Sequence, residues 1–336
     1  MIGIRTASLA LAIAASAITS PVLSADKVPV VATFSIPGDI VREVGGERVE
    51  LKTIVGPGGD AHVYQPTPTD AAAVTKASVV FVNGLAFEGW IDRLIKSSGY
   101  KGPIVTATKG IKAVKAEEEH DEEGHKDEHG HNEHGHEKHA HDKHGHDDHG
   151  HEKQASKKKK HSGHDHGEFD PHAWQSVSNV VTYVANVKDG LCKVDKASCN
   201  VFTKNATDYT AKLKALDKEI KGKFASIAAD KRKVITSHDA FGYFANAYGV
   251  SFMAPTGIST ESEASAKDVA KLIDQIRDEG VSAVFVENIS DKRLIEQIAR
   301  ETGAQIGGTL YSDALSDASG PAGTYIDMMR YNSGLI

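Results

Sequence analysis

The stretch VPVVATFSIPGDIVREVGGERVELKTIV, residues 28–55, reads as strand, helix, strand. Residues 28–34 form a short apolar run, the pattern of a strand buried in a sheet. Residues 36–44 switch to helical spacing and stop at Gly45-Gly46, a helix-ending pair. Residues 49–55 return to strand. A Gly/Pro-rich loop, 56–68, separates this unit from a short helix over 69–76, for which Thr69 is the expected N-cap. Strand 78–82, helix 88–98 and strand 103–106 continue the alternation. Alternation at this spacing predicts an α/β fold, with a mostly parallel sheet flanked by helices on both faces.

The same grammar recurs after residue 230. Strand 233–236, helix 240–248, strand 250–253, helix 264–278, strand 283–286, helix 292–302, strand 305–309 and a last helix over 325–331 are expected. Between the two series lie a helix over 176–188 and the longest helical pattern in the chain, 201–227. The latter has Tyr209, Leu213, Leu216, Ile220 and Phe224 at spacings of three and four. A helix of that length spans ~40 Å. The expected organisation is therefore two α/β lobes, 26–201 and 229–336, joined by one linking helix over 202–228.

Two segments, one ahead of the first lobe and one inserted within it, are of another kind. Residues 1–25 have a positive start at Arg5, an apolar run from Ala7 to Ile18, and small residues before Asp26, which reads as a secretory signal peptide. The run is shorter than the ~20 residues that cross a bilayer, and no cysteine near the cleavage point offers a lipid anchor. Export to the periplasm is expected. In that oxidising compartment Cys192 and Cys199, the only cysteines, are expected to form a disulfide. The formal net charge of −7 gives no reason to expect a nucleic-acid partner.

Residues 117–167 break the alternation. They contain no aliphatic residue larger than Ala and repeat His-Gly-His, so a disordered His-rich loop is expected. Fifteen of the eighteen histidines fall there: His120, His125, His129, His131, His134, His136, His139, His141, His144, His146, His149, His151, His161, His164 and His166. Flexible imidazole pairs make several weak metal sites, an accessory collector, and Lys157 to Lys160 oppose cations at one end.

Three histidines remain outside the tract: His62, His172 and His238. His62 lies in the loop after strand 49–55, His172 just before a helix, and His238 directly after strand 233–236. In open α/β sheets ligands bind beyond the carboxyl ends of the strands, so these three are candidates for one cleft. A tetrahedral site needs a fourth donor. Asp313, after strand 305–309, is the candidate, with Asp239 and Glu287 as strand-end rivals. Three imidazoles and a carboxylate suit Zn²⁺, whereas Mn²⁺ favours more and harder oxygen donors.

Six stretches resemble, in order, the metal-binding proteins of zinc and manganese ABC importers, the cluster A-I solute-binding family, and in particular its ZnuA-type zinc branch. They are 59–68 (GDAHVYQPTP), 170–174 (DPHAW), 236–244 (TSHDAFGYF), 257–261 (GISTE), 284–287 (VFVE) and 311–315 (YSDAL). The resemblance implies two α/β lobes joined by a long helix, with the metal between them on His62, His172, His238 and Asp313. Manganese members usually carry a carboxylate at the third position, where this chain has His238. Ala61 and Gln65 depart from the family's common Pro and Glu without removing a ligand. Some zinc members supply no aspartate at the fourth position.

The expected function is that of a non-enzymatic, monomeric periplasmic protein that captures Zn(II) and delivers it to an ABC permease in the inner membrane. A manganese or broader divalent-metal carrier and a periplasmic zinc buffer or chaperone are the alternatives. A secreted zinc hydrolase fits less well, because no His-Glu-x-x-His motif is present and Asp313 would fill the position a catalytic site leaves open.

Overall fold

A computed structural model of the chain describes residues 26–116 and 168–336 apart from 262 and 282. The expected signal peptide and the fifteen tract histidines lie outside the described residues.

The first sheet contains β1 (Val28–Phe34), β2 (Val49–Val55), β3 (Val79–Val82) and β4 (Ile104–Thr106) in the order β2-β1-β3-β4, all parallel. Five of the seven β1 residues and all four of β3 are buried. These central strands therefore read as continuous apolar runs, not alternating ones. The second sheet repeats the plan. β5 (Lys233–Ile235), β6 (Ser251–Met253), β7 (Ala283–Glu287) and β8 (Gln305–Leu310) pair in parallel in the order β6-β5-β7-β8. The chain is thus a two-lobed α/β protein with two four-stranded parallel sheets.

Helices α1 (Ser35–Gly45), α2 (Pro68–Lys76) and α3 (Ile91–Ser98) connect the first sheet. α6 (Gly242–Tyr248), α7 (Ala266–Glu279) and α8 (Lys292–Thr302) connect the second. Between the sheets run α4 (Val177–Val194) and the 27-residue α5 (Cys199–Ala225), joined by the Cys192–Cys199 disulfide. α5 buries the stripe Tyr209, Leu213, Leu216, Ile220 and Phe224, the face its spacing predicts. The chain ends in α9 (Tyr325–Leu335). Its first residue, Tyr325, returns to the first lobe: its backbone N–H donates to Asp39 of α1 at 2.9 Å.

Several boundaries differ from the sequence reading, each for a local reason. Thr69 is not the N-cap of α2. Thr67 is, in a capping box with Asp70, and Pro68 occupies the first turn, where its missing N–H costs nothing. α3 starts at Ile91 rather than at residue 88, because the Glu88 carboxylate is used elsewhere, accepting from Thr33, Asn83 and Gly84. α4 runs past Asp189-Gly190 because Gly190 packs against Phe81 and Val105, where a side chain would clash. α6 begins at Gly242 rather than at residue 240, since residues 238–240 turn tightly, with Ala240 N–H donating to the His238 carbonyl.

The insertion begins and ends at one place. Lys115 and Phe169 form an antiparallel bridge, supported by Ala116 N–H to Glu168 O at 3.1 Å and Asp170 N–H to Val114 O at 2.9 Å. Residues 117–167 are therefore rooted on a short stem that runs directly into Asp170. Among the described residues no helix is long and apolar enough to cross a membrane.

Candidate metal centre between the lobes

His62 follows β2 in the loop that begins at Gly56. Asp60 Oδ1 accepts its backbone N–H at 2.8 Å, and the Trp90 indole N–H donates to the Ala61 carbonyl at 2.7 Å. The ring is therefore fixed from the main chain outward. His172 is held likewise: Asp170 Oδ1 accepts its backbone N–H at 2.9 Å and lies 2.8 Å from its Nδ1. Asn83, at the end of β3, donates to the Pro171 carbonyl at 2.9 Å.

The second lobe supplies the other two. Glu287, the last residue of β7, accepts the backbone N–H groups of Ser237 and His238 on Oε1 at 2.7 and 2.9 Å, and its Oε2 lies 2.6 Å from His238 Nδ1. Asp313 follows β8. The carbonyl before it, Ser312 O, accepts from Trp174 Nε1 and Gln175 Nε2 of the first lobe at 2.9 and 2.8 Å.

These elements bring the four side chains to one point, with their candidate donor atoms within 4.8 Å of one another. His62 Nε2 lies 3.3 Å from His172 Nε2 and 3.2 Å from Asp313 Oδ2. His238 Nε2 lies 3.1 Å from Asp313 Oδ2, and His172 Nε2 lies 3.6 Å from Asp313 Oδ1. A tetrahedron with bonds of 2.0–2.1 Å has edges of about 3.3 Å, so these four separations suit one small cation. All four residues are buried, and Phe87 packs edge-on against His62 and His172 at centroid distances of 4.5 and 5.7 Å. Asp313 Oδ1 is buried and has no hydrogen-bond partner among the described residues. A buried carboxylate oxygen with no donor is costly unless a cation completes it.

Electrostatics point the same way. Burial opposes charge at every member of the cluster, yet His172 and His238 hold Asp313 well below the usual carboxylate range. Burial disfavours the His172 cation, but Asp313 and Asp170 outweigh it and raise its pKa to about 9. His238 is raised well above an ordinary histidine, with Glu287 and Asp313 overcoming burial. His62 is lowered, because burial outweighs its contact with Asp313. The cluster thus holds protons where a metal ion would replace them.

The rivals for the fourth position are placed elsewhere. Glu287 stands behind His238 as its orienting carboxylate, and Asp239 is outside the clustered four. The sequence reading did not identify the partners of the outer imidazole nitrogens. Asp170 had a visible signal, since Asp-x-His occurs both at 60–62 and at 170–172. Glu287 had only its strand-end position.

Known proteins similar to this chain are named for metal binding or metal transport. Iron-binding protein YfeA of Yersinia pestis is 30% identical over 317 residues, covering 94% of this chain and 88% of that protein. Manganese ABC transporter substrate-binding lipoprotein PsaA of Streptococcus anginosus is 28% identical, covering 92% and 88%. Among solved structures, the periplasmic zinc-binding protein TroA from Treponema pallidum superposes with a TM-score of 0.73 at 28% identity, covering 92% of this chain and 98% of that one. These relatives are named for three different metals. A family profile described as zinc-uptake complex component A, periplasmic, matches residues 30–336, and the chain belongs to that ZnuA family of metal-binding components of ABC importers.

Proposed function

We propose that this protein is a periplasmic, high-affinity zinc carrier that holds Zn²⁺ on His62, His172, His238 and Asp313 and delivers it to an ABC permease in the inner membrane. The observation that carries the reading is the donor set: three imidazoles and one carboxylate, buried and within 4.8 Å of one another, with four of their separations near a tetrahedral edge for zinc bond lengths. A manganese site would be expected to draw on more oxygen donors. The outer nitrogens of His172 and His238 face Asp170 and Glu287, the kind of orienting carboxylate that zinc-bound histidines use. Cargo bound this way is released by separating the donors, so no catalytic step enters the cycle.

The protein is proposed to work as a monomer with lobes 26–201 and 229–336 about a linking helix, and to use its fifteen-histidine insertion as an accessory collector beside His172. Calorimetric titration with Zn²⁺, Mn²⁺ and Fe²⁺ under anaerobic conditions tests the metal. One tight zinc site per chain is expected, with weaker Mn²⁺ and Fe²⁺. A tighter Mn²⁺ or Fe²⁺ would favour the second reading, a carrier for those metals, which the names of YfeA and PsaA support. Zinc-dependent ATPase stimulation of the reconstituted transporter separates import from mere buffering.

A further inference from the structure

The two first-lobe histidines of the cluster stand in the same local unit. Asp60-Ala61-His62 and Asp170-Pro171-His172 both read Asp-x-His, and in both the aspartate Oδ1 accepts the histidine's backbone N–H. One oxygen of each carboxylate is therefore committed to its own histidine. The other oxygen of each turns to the second lobe. Asp60 Oδ2 accepts from the Thr260 hydroxyl at 2.7 Å, across 200 positions of sequence. Asp170 Oδ2 lies against Gly242, where a Cβ would stand only 2.7 Å away. The residue after it, Tyr243, donates its hydroxyl to the Asp170 carbonyl at 3.0 Å and accepts from Val114 N–H at 3.1 Å. Gly242 and Tyr243 open α6, so a second-lobe helix closes directly onto the unit that orients His172.

The second lobe's histidine is built differently. His238 is fixed through Glu287, and both belong to the same lobe. The first-lobe imidazoles thus have geometry that depends on the opposite lobe, and His238 does not.

We infer that Thr260, Gly242 and Tyr243 are positioning residues for the metal. They act through Asp60 and Asp170, so that His62 and His172 take their gripping geometry only while the second lobe is seated against them. This rests on the reading of the four-residue cluster as the tight metal site. A carboxylate bonded through one oxygen and held on the other, by the Thr260 hydroxyl at Asp60 and by close packing on Gly242 at Asp170, has little room to rotate. Freed on one side it can swing, and the histidine it orients swings with it. Loss of such outer contacts commonly weakens metal binding by ~10–100-fold. Thr260 gives a smaller effect, because it acts on a backbone turn rather than on an imidazole nitrogen. Contact between lobes thereby becomes a control on metal release: whatever draws Thr260 and α6 away also loosens two donors.

The test uses the full-length protein and Zn²⁺. Thr260→Val, Thr260→Ser, Tyr243→Phe and Gly242→Ala are compared with wild type for zinc release into excess chromophoric chelator, for the visible spectrum of the Co²⁺ form, and for metal-free melting temperature. Thr260→Val and Tyr243→Phe are expected to release zinc ~3–10-fold faster, and Gly242→Ala ~10–100-fold faster with a shifted Co²⁺ ligand-field band. Metal-free melting should stay within a few degrees of wild type for the first two, and Thr260→Ser should restore the wild-type rate. Should Gly242→Ala fail to fold, Thr260→Val and Tyr243→Phe carry the test. Release within twofold of wild type for both, from a wild type that holds one zinc tightly, overturns the inference alone. So does a Thr260→Ser rate as fast as that of Thr260→Val. A wild type without a tight one-to-one site overturns the metal reading, and this inference with it.

Discussion

His238 shows how much of one ligand's worth lies in its neighbours. Its ring is buried, its Nδ1 lies 2.6 Å from Glu287, and its Nε2 lies 3.1 Å from Asp313. His238→Ala should therefore weaken zinc binding far more than loss of any single tract histidine, and Glu287→Gln should cost ~10–100-fold while leaving the first coordination sphere intact. Competition titration against a calibrated chelator measures both, and equal effects for His238 and a tract histidine would move the main site into the tract. The protonation of the cluster gives a second prediction. His172 has its pKa raised to about 9, and His238 is raised well above the ordinary value, so below that range both hold protons that zinc must displace. Because the shift is upward, proton competition is strongest at low pH and fades as pH rises through these values. At pH 7, zinc binding should release at least one proton, and apparent affinity should rise about tenfold per displaced proton per pH unit. Calorimetry in two buffers of different ionisation enthalpy counts the protons, and a count of zero would mean that the empty site is already neutral. The three histidines were legible in the sequence because each follows a strand or precedes a helix, whereas Asp313 shared its strand-end position with Asp239 and Glu287 and was singled out by the family resemblance. The carboxylates that orient the histidines were not legible, because a contact such as Glu287 to His238 joins residues 49 apart, which only tertiary folding brings together.

At the scale of elements, the strands and helices were legible where the pattern was long. The stripe of α5 and the buried runs of β1 and β3 declare their period. The misplaced boundaries have two causes: at α2 and α6 a capping box and a tight turn reset the start locally, whereas at α3 and α4 Glu88 and Gly190 serve contacts with other elements. α1 and α9 also meet in a contact between elements distant in sequence. Asp39 is buried, its Oδ1 pairs with Arg42 at 2.8 Å, and its Oδ2 accepts the first N–H of α9. Burial raises its pKa to about 6, against the lowering pull of the Tyr325 N–H and Arg42. A carboxyl that binds its proton more tightly folded than unfolded favours the fold at low pH. That contribution falls as pH rises from about 4 to about 6 and is gone above it. Asp39→Asn keeps an acceptor for Tyr325 N–H and cannot ionise. The melting temperature of Asp39→Asn minus that of wild type should therefore increase between pH 4 and pH 6 and level off above, since groups common to both proteins cancel. A difference that stays flat with pH would mean that Asp39 titrates normally in the folded protein.

For the whole molecule, two copies of one sheet plan face each other, and the cluster draws two residues from each lobe. The lobes are also tied beside it, by Gly58 N–H to Leu315 O at 2.9 Å, Leu315 N–H to Ser35 Oγ at 3.0 Å, and the two donors on Ser312 O. A cation bound by both lobes adds a tie that the unfolded chain lacks, so zinc should stabilise the protein as a unit. At a free zinc concentration a hundredfold above Kd the gain is about 2.7 kcal/mol. The four clustered residues do not draw on the insertion. Its stem closes at Lys115 and Phe169, and every residue of the cluster lies in the described chain outside it. Removing residues 117–167 and joining the stem through a short Gly/Ser turn should keep the single tight zinc site and the zinc-induced rise in melting temperature, and abolish the weaker sites. Titration of the shortened protein next to the full chain, with melting followed at each zinc concentration, reads both. Retention of the weak sites would place them on the lobes. Loss of the tight site would mean that the insertion supplies a donor the four clustered residues lack, and the division between a specific centre and an accessory collector would fall.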